Sequence, residues 1–496
     1  MQNAEMRDSF IKFCVSMKGM IIHMKKASFE NALANTAIGV VFVVALLVIA
    51  ATFLPSTRLH DYVLVYVEIN HWIQRLISVG LLIIAWHLYM RKRFAWMVCI
   101  VLLSASSVLH FVSLHHPIAI GIVVLEIYAL VILLICHGDF KRPLHRRFKV
   151  GNLSPEDKAR AREIVIKHGQ NACSYLALED DKILFFGKEA DGVVAYGVVG
   201  NVITVCGDPI CAPEDFVRFL AEFKAFCNEC SYQCIFLGTS EAFIEQYTLL
   251  GYYHVKAGEE ARFHLVDYQL AGGKMQKMRT QVNHANKEVT TLEYKPDEKR
   301  DELIEKGISD VSGAWLEGKK SGQLGFSVGG VGLDDPMDRR YFYAVDGEGK
   351  IVAFNVFLPY ANKTGYLADV TRRVPHAPGG VTEKLIYDGF MAFKEEGVEW
   401  GSMGMATFYN VHEDGVRDDM TVKLLEFIYE KCNRFYGFKD LHHAKEKYSP
   451  TVWAPGYFVF STKIITPEIA FASVKIQNPG GIKDFLLSGV KARFKT

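Results

Sequence analysis

Residues Thr364 to Lys394 read TGYLADVTRRVPHAPGGVTEKLIYDGFMAFK. Thr364 to Val370 has the composition of a strand, Gly379-Gly380 makes a turn, and Val381 to Lys394 carries a helical pattern. Upstream lie a helical segment, Glu298 to Lys319, and strand-like runs at Tyr341 to Val345 and Ile351 to Leu358. The same order stands earlier in the chain. Ser154 to Lys167 opens with an N-cap serine, a proline at the first helical position and acidic residues in the first turn. Strand-like runs follow at Lys182 to Gly187, Val193 to Val199 and Val202 to Cys206. Gly207-Asp208-Pro209 then turns the chain into a helix from Pro213 to Cys227, before a last run at Cys234 to Leu237.

Helix, antiparallel strands, then a turn feeding a helix N-terminus is the layout of acetyltransferase-like (GNAT) folds. The sequence therefore predicts an α/β (α+β) part made of two tandem units, 151–285 and 286–496, alike in pattern and not in residue identity. The loop Asp369 to Gly380 ends at a helix N-terminus, whose backbone N–H groups suit an anion or an oxyanion. Its arginine-to-glycine spacing departs from the R/Q-x-x-G-x-G/A of acetyl-CoA loops, which argues against that donor.

Before residue 150 the chain changes character. Thr36 to Leu54, Ile73 to Met90, Phe94 to Val112 and Ile118 to Cys136 are apolar stretches of 18 or 19 residues. At 1.5 Å per residue each reaches roughly 27 to 29 Å, the thickness of a bilayer's hydrocarbon core. We expect a multi-pass α-helical membrane domain over 36–137, preceded by a segment, 1–35, whose Phe10 to Met24 portion suits the interface, and followed by a basic juxtamembrane linker, 138–150. Lys18, Lys25, Lys26, Arg91, Lys92, Arg93, Lys141, Arg142, Arg146, Arg147 and Lys149 flank one side of the spans and Arg58 alone the other. The positive-inside rule then puts both termini and the α/β part in the cytoplasm. Glu126, central in the fourth stretch, is expected to be protonated or to face polar groups inside the bundle.

With 56 lysines and arginines against 55 aspartates and glutamates, the chain shows no global basic excess, so any RNA contact must be a local patch. Cys227, Cys230 and Cys234 lack a second Cys/His pair for zinc and read as reduced thiols; no metal and no cofactor are expected.

Several spaced motifs between Gly207 and Tyr457 resemble the catalytic domain of phosphatidylglycerol lysyltransferases, the multiple peptide resistance factor family. They are Gly207-Asp208-Pro209; Lys274-Met275-Gln276-Lys277-Met278-Arg279 after a Gly-Gly; Trp315-Leu316 with Gly325-Phe326-Ser327; Asp369 and Arg372 as D-x-x-R; Gly404-Met405-Ala406; and the aromatic-glycine, K-x-K-aromatic and W-x-P-x-Y elements of Phe438 to Tyr457. Thr407, Gly456 and Gln323 or Leu324 depart from the family pattern. The family's N-terminal flippase portion is not found, so the resemblance implies lipid synthesis without flipping. It also implies transfer of lysine or another amino acid from aminoacyl-tRNA to the headgroup hydroxyl of phosphatidylglycerol at the membrane, which changes surface charge. A membrane-bound acyl-CoA acyltransferase, another lipid or peptidoglycan acceptor, and a non-catalytic sensor or scaffold are the rival readings.

The donor ester is already activated, so the site needs alignment, a cationic cradle, an acidic subsite and oxyanion donors. Asp369, Arg372 and Glu383 are the candidate catalytic groups, with Asp369 and Glu383 serving the amino group or accepting the hydroxyl proton. Lys445 and Lys447 join Arg372 as the phosphate cradle, and Gly379, Gly380, Gly404, Met405, Phe326 and Ser327 complete the substrate-binding set. His442 and His443 stand in the same charged run as Lys445.

Overall fold

The computed structural model describes residues 32–44, 46, 80, 82–89, 91–112, 117–140, 154–230, 232–318, 325–412, 422–423, 425 and 438–478. The 10–24 segment, Arg58, the basic residues 141–149, Gln323, Leu324 and much of the first two apolar stretches lie outside them. By contact density the chain divides into two compact units, Met1–Arg147 with Phe226–Tyr232, and Phe148–Ala225 with Gln233–Thr496.

In the first unit, helices α1 (Arg93–Val112) and α2 (Pro117–Ile135) occupy the third and fourth apolar stretches, with some of their side chains outside the described residues. Among the described residues, no helix is long and apolar enough to cross a membrane. The Trp96 indole N–H donates to the Leu133 carbonyl at 2.8 Å, and the Arg91 guanidinium donates to Asn35 at 2.8 Å. Glu126 is buried.

The second unit begins with α3 (Pro155–His168), where the Ser154 hydroxyl accepts from the Asp157 amide at 3.0 Å and Pro155 takes the first helical position, as the sequence predicts. Strands β1 (Ile183–Phe186), β2 (Gly192–Val199), β3 (Val202–Cys206) and the short β4 (Ile210–Cys211) follow, then α4 (Phe216–Glu229), β5 (Gln233–Ser240), α5 (Ile244–Leu249) and β6 (Tyr253–His264). The later half runs α6 (Gln276–Ala285), β7 (Thr290–Tyr294), α7 (Glu302–Gly318), β8 (Arg340–Val345), β9 (Ile351–Tyr360), β10 (Gly365–Arg373), α8 (Val381–Glu395), β11 (Trp400–Thr407), α9 (Phe438–Glu446), β12 (Val452–Phe460) and α10 (Pro467–Gln477).

All the strands join one sheet in the order β1-β2-β3-β5-β12-β6-β11-β10-β9-β8-β7, with β4 on β2. Two pairs are parallel, β3 with β5 across α4 and β10 with β11 across α8; every other pairing is antiparallel. Each half thus repeats antiparallel strands leading into a parallel pair joined by a crossover helix, the duplicated acetyltransferase-like layout. The boundary at 285/286 separates the halves in sequence only. Strand β12, from the later half, sits between β5 and β6, and α10 packs on β2, β3 and β5. One core cluster draws on both halves, with Val202, Ile235, Phe354 and Leu367 among its members. A second, including Phe263, Leu385, Phe390 and Phe393, lies under α6 and α8.

The Gly379-Gly380 turn answers to packing. Gly380 has φ +82°, and a Cβ there would meet the Gln281 carbonyl oxygen at 2.2 Å, whereas one on Gly379 would find only His284, at 3.8 Å. Gly380→Ala therefore carries the left-handed penalty of about 1–2 kcal/mol plus a clash with backbone. Differential scanning calorimetry should show a midpoint lowered by roughly 2–4 °C per kcal/mol for Gly380→Ala and little change for Gly379→Ala. Equal midpoints in the two variants would refute this account of the turn.

Candidate active site

The parallel pairing of β10 with β11 lasts three residues, Gly365 to Leu367 against Trp400 to Ser402. Beyond it the strands part. β10 continues along β9 through an irregularity between Ala368 and Val370, and β11 continues along β6 through another between Ser402 and Met405. Asp369 thus stands at a bulge on one edge of a wedge, with Gly404 and Met405 on the other. Bulges of this kind re-aim side chains beside functional sites, and the carboxyl ends of parallel strands are where open sheets receive ligands.

The sequence places Asp369 and Arg372 on a loop. The structure corrects this, because β10 runs to Arg373, its last residues Arg372 and Arg373 pairing with Phe354 and Ala353 of β9. Thr-Arg-Arg lacks strand-like character, and only the neighbouring strand keeps it extended.

Asp369 is half-buried, and its Oδ2 accepts the Gly329 amide at 2.9 Å. Burial first, and then the Glu179 carboxylate, push its pKa up to about 7, against the Gly329 amide, Arg339 and Lys182. Glu179 is itself held by Arg339, Oε1 to Nη2 at 2.6 Å, and accepts the Gly330 amide at 3.3 Å. Lys182, fully buried, pairs with Asp181 and lies 4.6 Å from the Phe326 ring centroid, while Asp181 accepts the Phe326 amide at 2.8 Å. Loop 325–330 is therefore fastened by carboxylates of both halves. Phe326 is buried at φ +65° as a core side chain, and the Ser327 hydroxyl bonds Gln477 at 2.9 Å. Phe326 thus packs in the core, and the half-buried Ser327 is engaged by Gln477.

Arg372 is only 4% exposed. Its Nη1 donates to Ser312, its guanidinium lies 4.9 Å from the Trp315 ring centroid, and its Nε is buried with no hydrogen-bond partner among the described residues. Burial lowers its pKa, with the charge of Asp369 opposing. No ion pair joins Asp369 to Arg372 among the described residues, so neither is spent on the other.

Lys445 departs from its expected part in a phosphate cradle. It is buried, and its Nζ donates to the carbonyls of Gly404 at 2.9 Å and Met405 at 2.8 Å. Helix α9 packs on β11 and turns this side chain inward. Burial pushes its pKa down to about 7 against the pull of Glu260. Glu260 in turn accepts from Ser402 Oγ at 2.5 Å, Ser402 accepts the Gly404 amide at 3.0 Å, and Arg262 clamps the other Glu260 oxygen at 2.8 and 2.9 Å. Lys445 and Glu260 together hold the irregular edge of β11, where Gly404 has φ +71°. Lys447 and Glu383 form an ion pair with each other, which places two predicted site residues together and leaves neither group uncommitted. His442 is buried and stacked on Tyr409, centroids 3.5 Å apart, and burial lowers its pKa. Donor atoms of His442, His443 and Glu446 fall within 4.8 Å of one another, on one face of α9.

The sequence reading missed Glu179, Asp181, Lys182 and Arg339. Their only sequence signal is charge beside apolar strand starts, which does not reveal a partner in the other half.

In the folded protein Asp369 keeps its proton up to about pH 7, whereas unfolded it ionises near 4. Below pH 4 its contribution to stability is fully present; it is lost as pH rises through about 7. Asp369→Asn, which cannot ionise, should flatten the thermal midpoint between pH 4 and 8 and gain on the parent at pH 8. A parent and variant with parallel profiles would show that the carboxyl titrates normally.

The profile of the family "Phosphatidylglycerol lysyltransferase, C-terminal" matches residues 162–460. A phosphatidylglycerol lysyltransferase of Staphylococcus epidermidis is 29% identical over 301 residues, 60% of this chain and 35% of that one. One from Bacillus subtilis is 26% identical over 345 residues, 70% and 39% respectively. The chain thus spans little more than a third of the length of these curated relatives. Among solved structures, L-PGS from Bacillus licheniformis superposes with a TM-score of 0.55 at 26% identity, over 64% of this chain and 94% of that one. A C-terminal DUF2156 domain from Agrobacterium fabrum gives 0.57 at 23%, over 66% and 98%, and shares the fold. With a profile covering more than half its residues, from α3 to the end of β12, the chain belongs to the phosphatidylglycerol lysyltransferase C-terminal family.

Proposed function

We propose that this protein transfers an aminoacyl group from aminoacyl-tRNA to a headgroup hydroxyl of phosphatidylglycerol, as a multi-pass membrane protein with its site on the cytoplasmic side. The observation that carries the reaction is the wedge between β10 and β11, where a carboxyl pushed up to a pKa of about 7 stands three residues from a buried arginine with an N–H unpartnered among the described residues. Family membership supports the substrate class. The membrane reading is supported by the four apolar stretches and the basic asymmetry around them, and by apolar side chains turned outward on α1 and α2, such as Val101, Val108, Val124 and Ile135.

In this reading the lipid hydroxyl oxygen attacks the ester carbonyl carbon, and its proton passes to the Asp369 carboxylate. The tetrahedral intermediate collapses with cleavage of the bond to the tRNA ribose oxygen, which recovers a proton from Asp369. The Arg372 guanidinium, of which only Nη1 is hydrogen-bonded among the described residues, supplies the donor to an anionic oxygen. An ester is exchanged for an ester, so neither ATP nor acyl-CoA enters the balance.

The test combines genetics and a purified system. Expression in a host lacking modified phosphatidylglycerol should yield a ninhydrin-positive phospholipid. The purified chain with charged tRNA and phosphatidylglycerol vesicles should form it without ATP or acyl-CoA, and RNase should abolish product. Asp369→Asn and Arg372→Ala should each lose on the order of 100-fold in turnover. RNase-resistant product that requires acyl-CoA would overturn the donor, and near-normal rates in both variants would move the site elsewhere.

For topology, a reporter fused after Lys149 should be active in its cytoplasmic form only; activity of a periplasmic-type reporter there would reverse the orientation.

A further inference from the structure

The Lys274 to Arg279 run takes no part in the wedge chemistry. Met275, Met278, Val282 and Ala285 are buried, and α6 packs on α8. The opposite face is exposed and polar, with Lys277, Gln281, Asn283 and His284 along it and the exposed Lys274 and Lys287 flanking the two ends of the helix. Nearby cations are already committed: Arg279 donates to the carbonyls of Leu270 at 2.9 Å and Gly272 at 3.2 Å, and Lys384 bonds Asn286 and Asp388. Lys274, Lys277 and Lys287 make no ion pair among the described residues. Two acidic groups nearby among the described residues are engaged, Glu288 lying 3.4 Å from His284 and Glu383 pairing with Lys447.

This face continues to the wedge side of the sheet. His284 Nδ1 lies 3.1 Å from the Gly379 carbonyl, and Gln281 backbone meets Gly380. The loop so contacted, between β10 and α8, follows Arg373, the last residue of β10, which is exposed and makes no ion pair among the described residues, and carries the exposed His376. None of the exposed large hydrophobic side chains lies on α6, which speaks against insertion into a bilayer. Unneutralised lysines interleaved with amide side chains fit a phosphodiester backbone, where contacts position the partner without reading bases.

We propose that the exposed face of α6, the lysines flanking its ends and the adjoining β10–α8 loop dock the phosphate backbone of the donor RNA's acceptor helix, setting its 3′ end toward the wedge. This rests on the reading of aminoacyl-tRNA as donor. The test measures binding of uncharged tRNA to the purified full-length chain by fluorescence anisotropy across a salt series. In the Lys274→Ala/Lys277→Ala/Lys287→Ala variant, affinity at low salt should fall about tenfold or more, and the slope of log affinity against log salt should shrink by about 2 to 3. The corresponding triple lysine-to-arginine variant should bind like the parent. KM for charged tRNA should rise with kcat and thermal midpoint unchanged. A triple alanine variant with parental affinity and slope would overturn the surface and leave the donor reading standing. So would one that keeps its tRNA affinity but loses flotation with phosphatidylglycerol vesicles, which would mark a membrane face. Equal losses in the alanine and arginine variants with a lowered midpoint would return the lysines to a structural role. A parent that binds no tRNA, with RNase-resistant transfer, would remove the donor reading and the surface together.

Discussion

Strand β12 is hydrogen-bonded on both sides, to β6 along Val452 to Phe460 and to β5 along Gly456 to Phe460. Without it, β5 and β6 would each expose a row of unpaired N–H and C=O groups in the middle of the sheet, at a cost no side-chain packing would offset. Because β12 arrives last in the chain, the first half cannot complete its sheet until the second has been made. The halves are therefore one cooperative body, and the wedge between β10 and β11 is braced by β6, whose other edge β12 holds.

That bracing explains how the wedge stays open. The parallel pair stops at Leu367 and Ser402, yet β10 remains extended on β9 and β11 on β6, so the divergence is fixed by two antiparallel neighbours and not by loop conformation. Lys445 and the Ser402–Glu260–Arg262 chain then satisfy the backbone groups that the irregular edge of β11 would leave open. Scaffolds that hold reacting groups on strands in this way position them more rigidly than loops do.

Much of this architecture is legible in the sequence. The turns at Gly207-Asp208-Pro209 and Gly379-Gly380, the Ser154 cap and most strand starts follow from local chemistry, and with them the duplication. Contacts made across the duplication are not. The extension of β10 through Arg373 depends on β9, and the inward turn of Lys445 on α9 lying against β11. The fastening of loop 325–330 depends on Asp181 and Glu179, some 150 residues away. Asp369 and Arg372 were found because a family motif marks them; their surroundings, which decide their chemistry, carry no local signal.

A half-buried carboxyl and a buried guanidinium with no ion pair between them are expensive, since an unpaired ion in a protein interior costs several kcal/mol after relaxation. Asp369 avoids part of that cost by keeping its proton to about pH 7. Arg372 has no such escape, because a guanidinium stays charged in proteins; Ser312 and the Trp315 face serve part of it, and its Nε is left unserved. Among the described residues nothing repays this arrangement, which is the condition expected where a ligand supplies the missing partners. Under the proposed reaction the two groups respond in opposite senses. An incoming ammonium would favour the Asp369 carboxylate and draw its pKa below 7, producing the base form when the aminoacyl ester is in place. An oxyanion would then meet guanidinium N–H groups of Arg372 that no described residue engages, so that the charges left unpaired in the free protein are balanced as the reaction needs them.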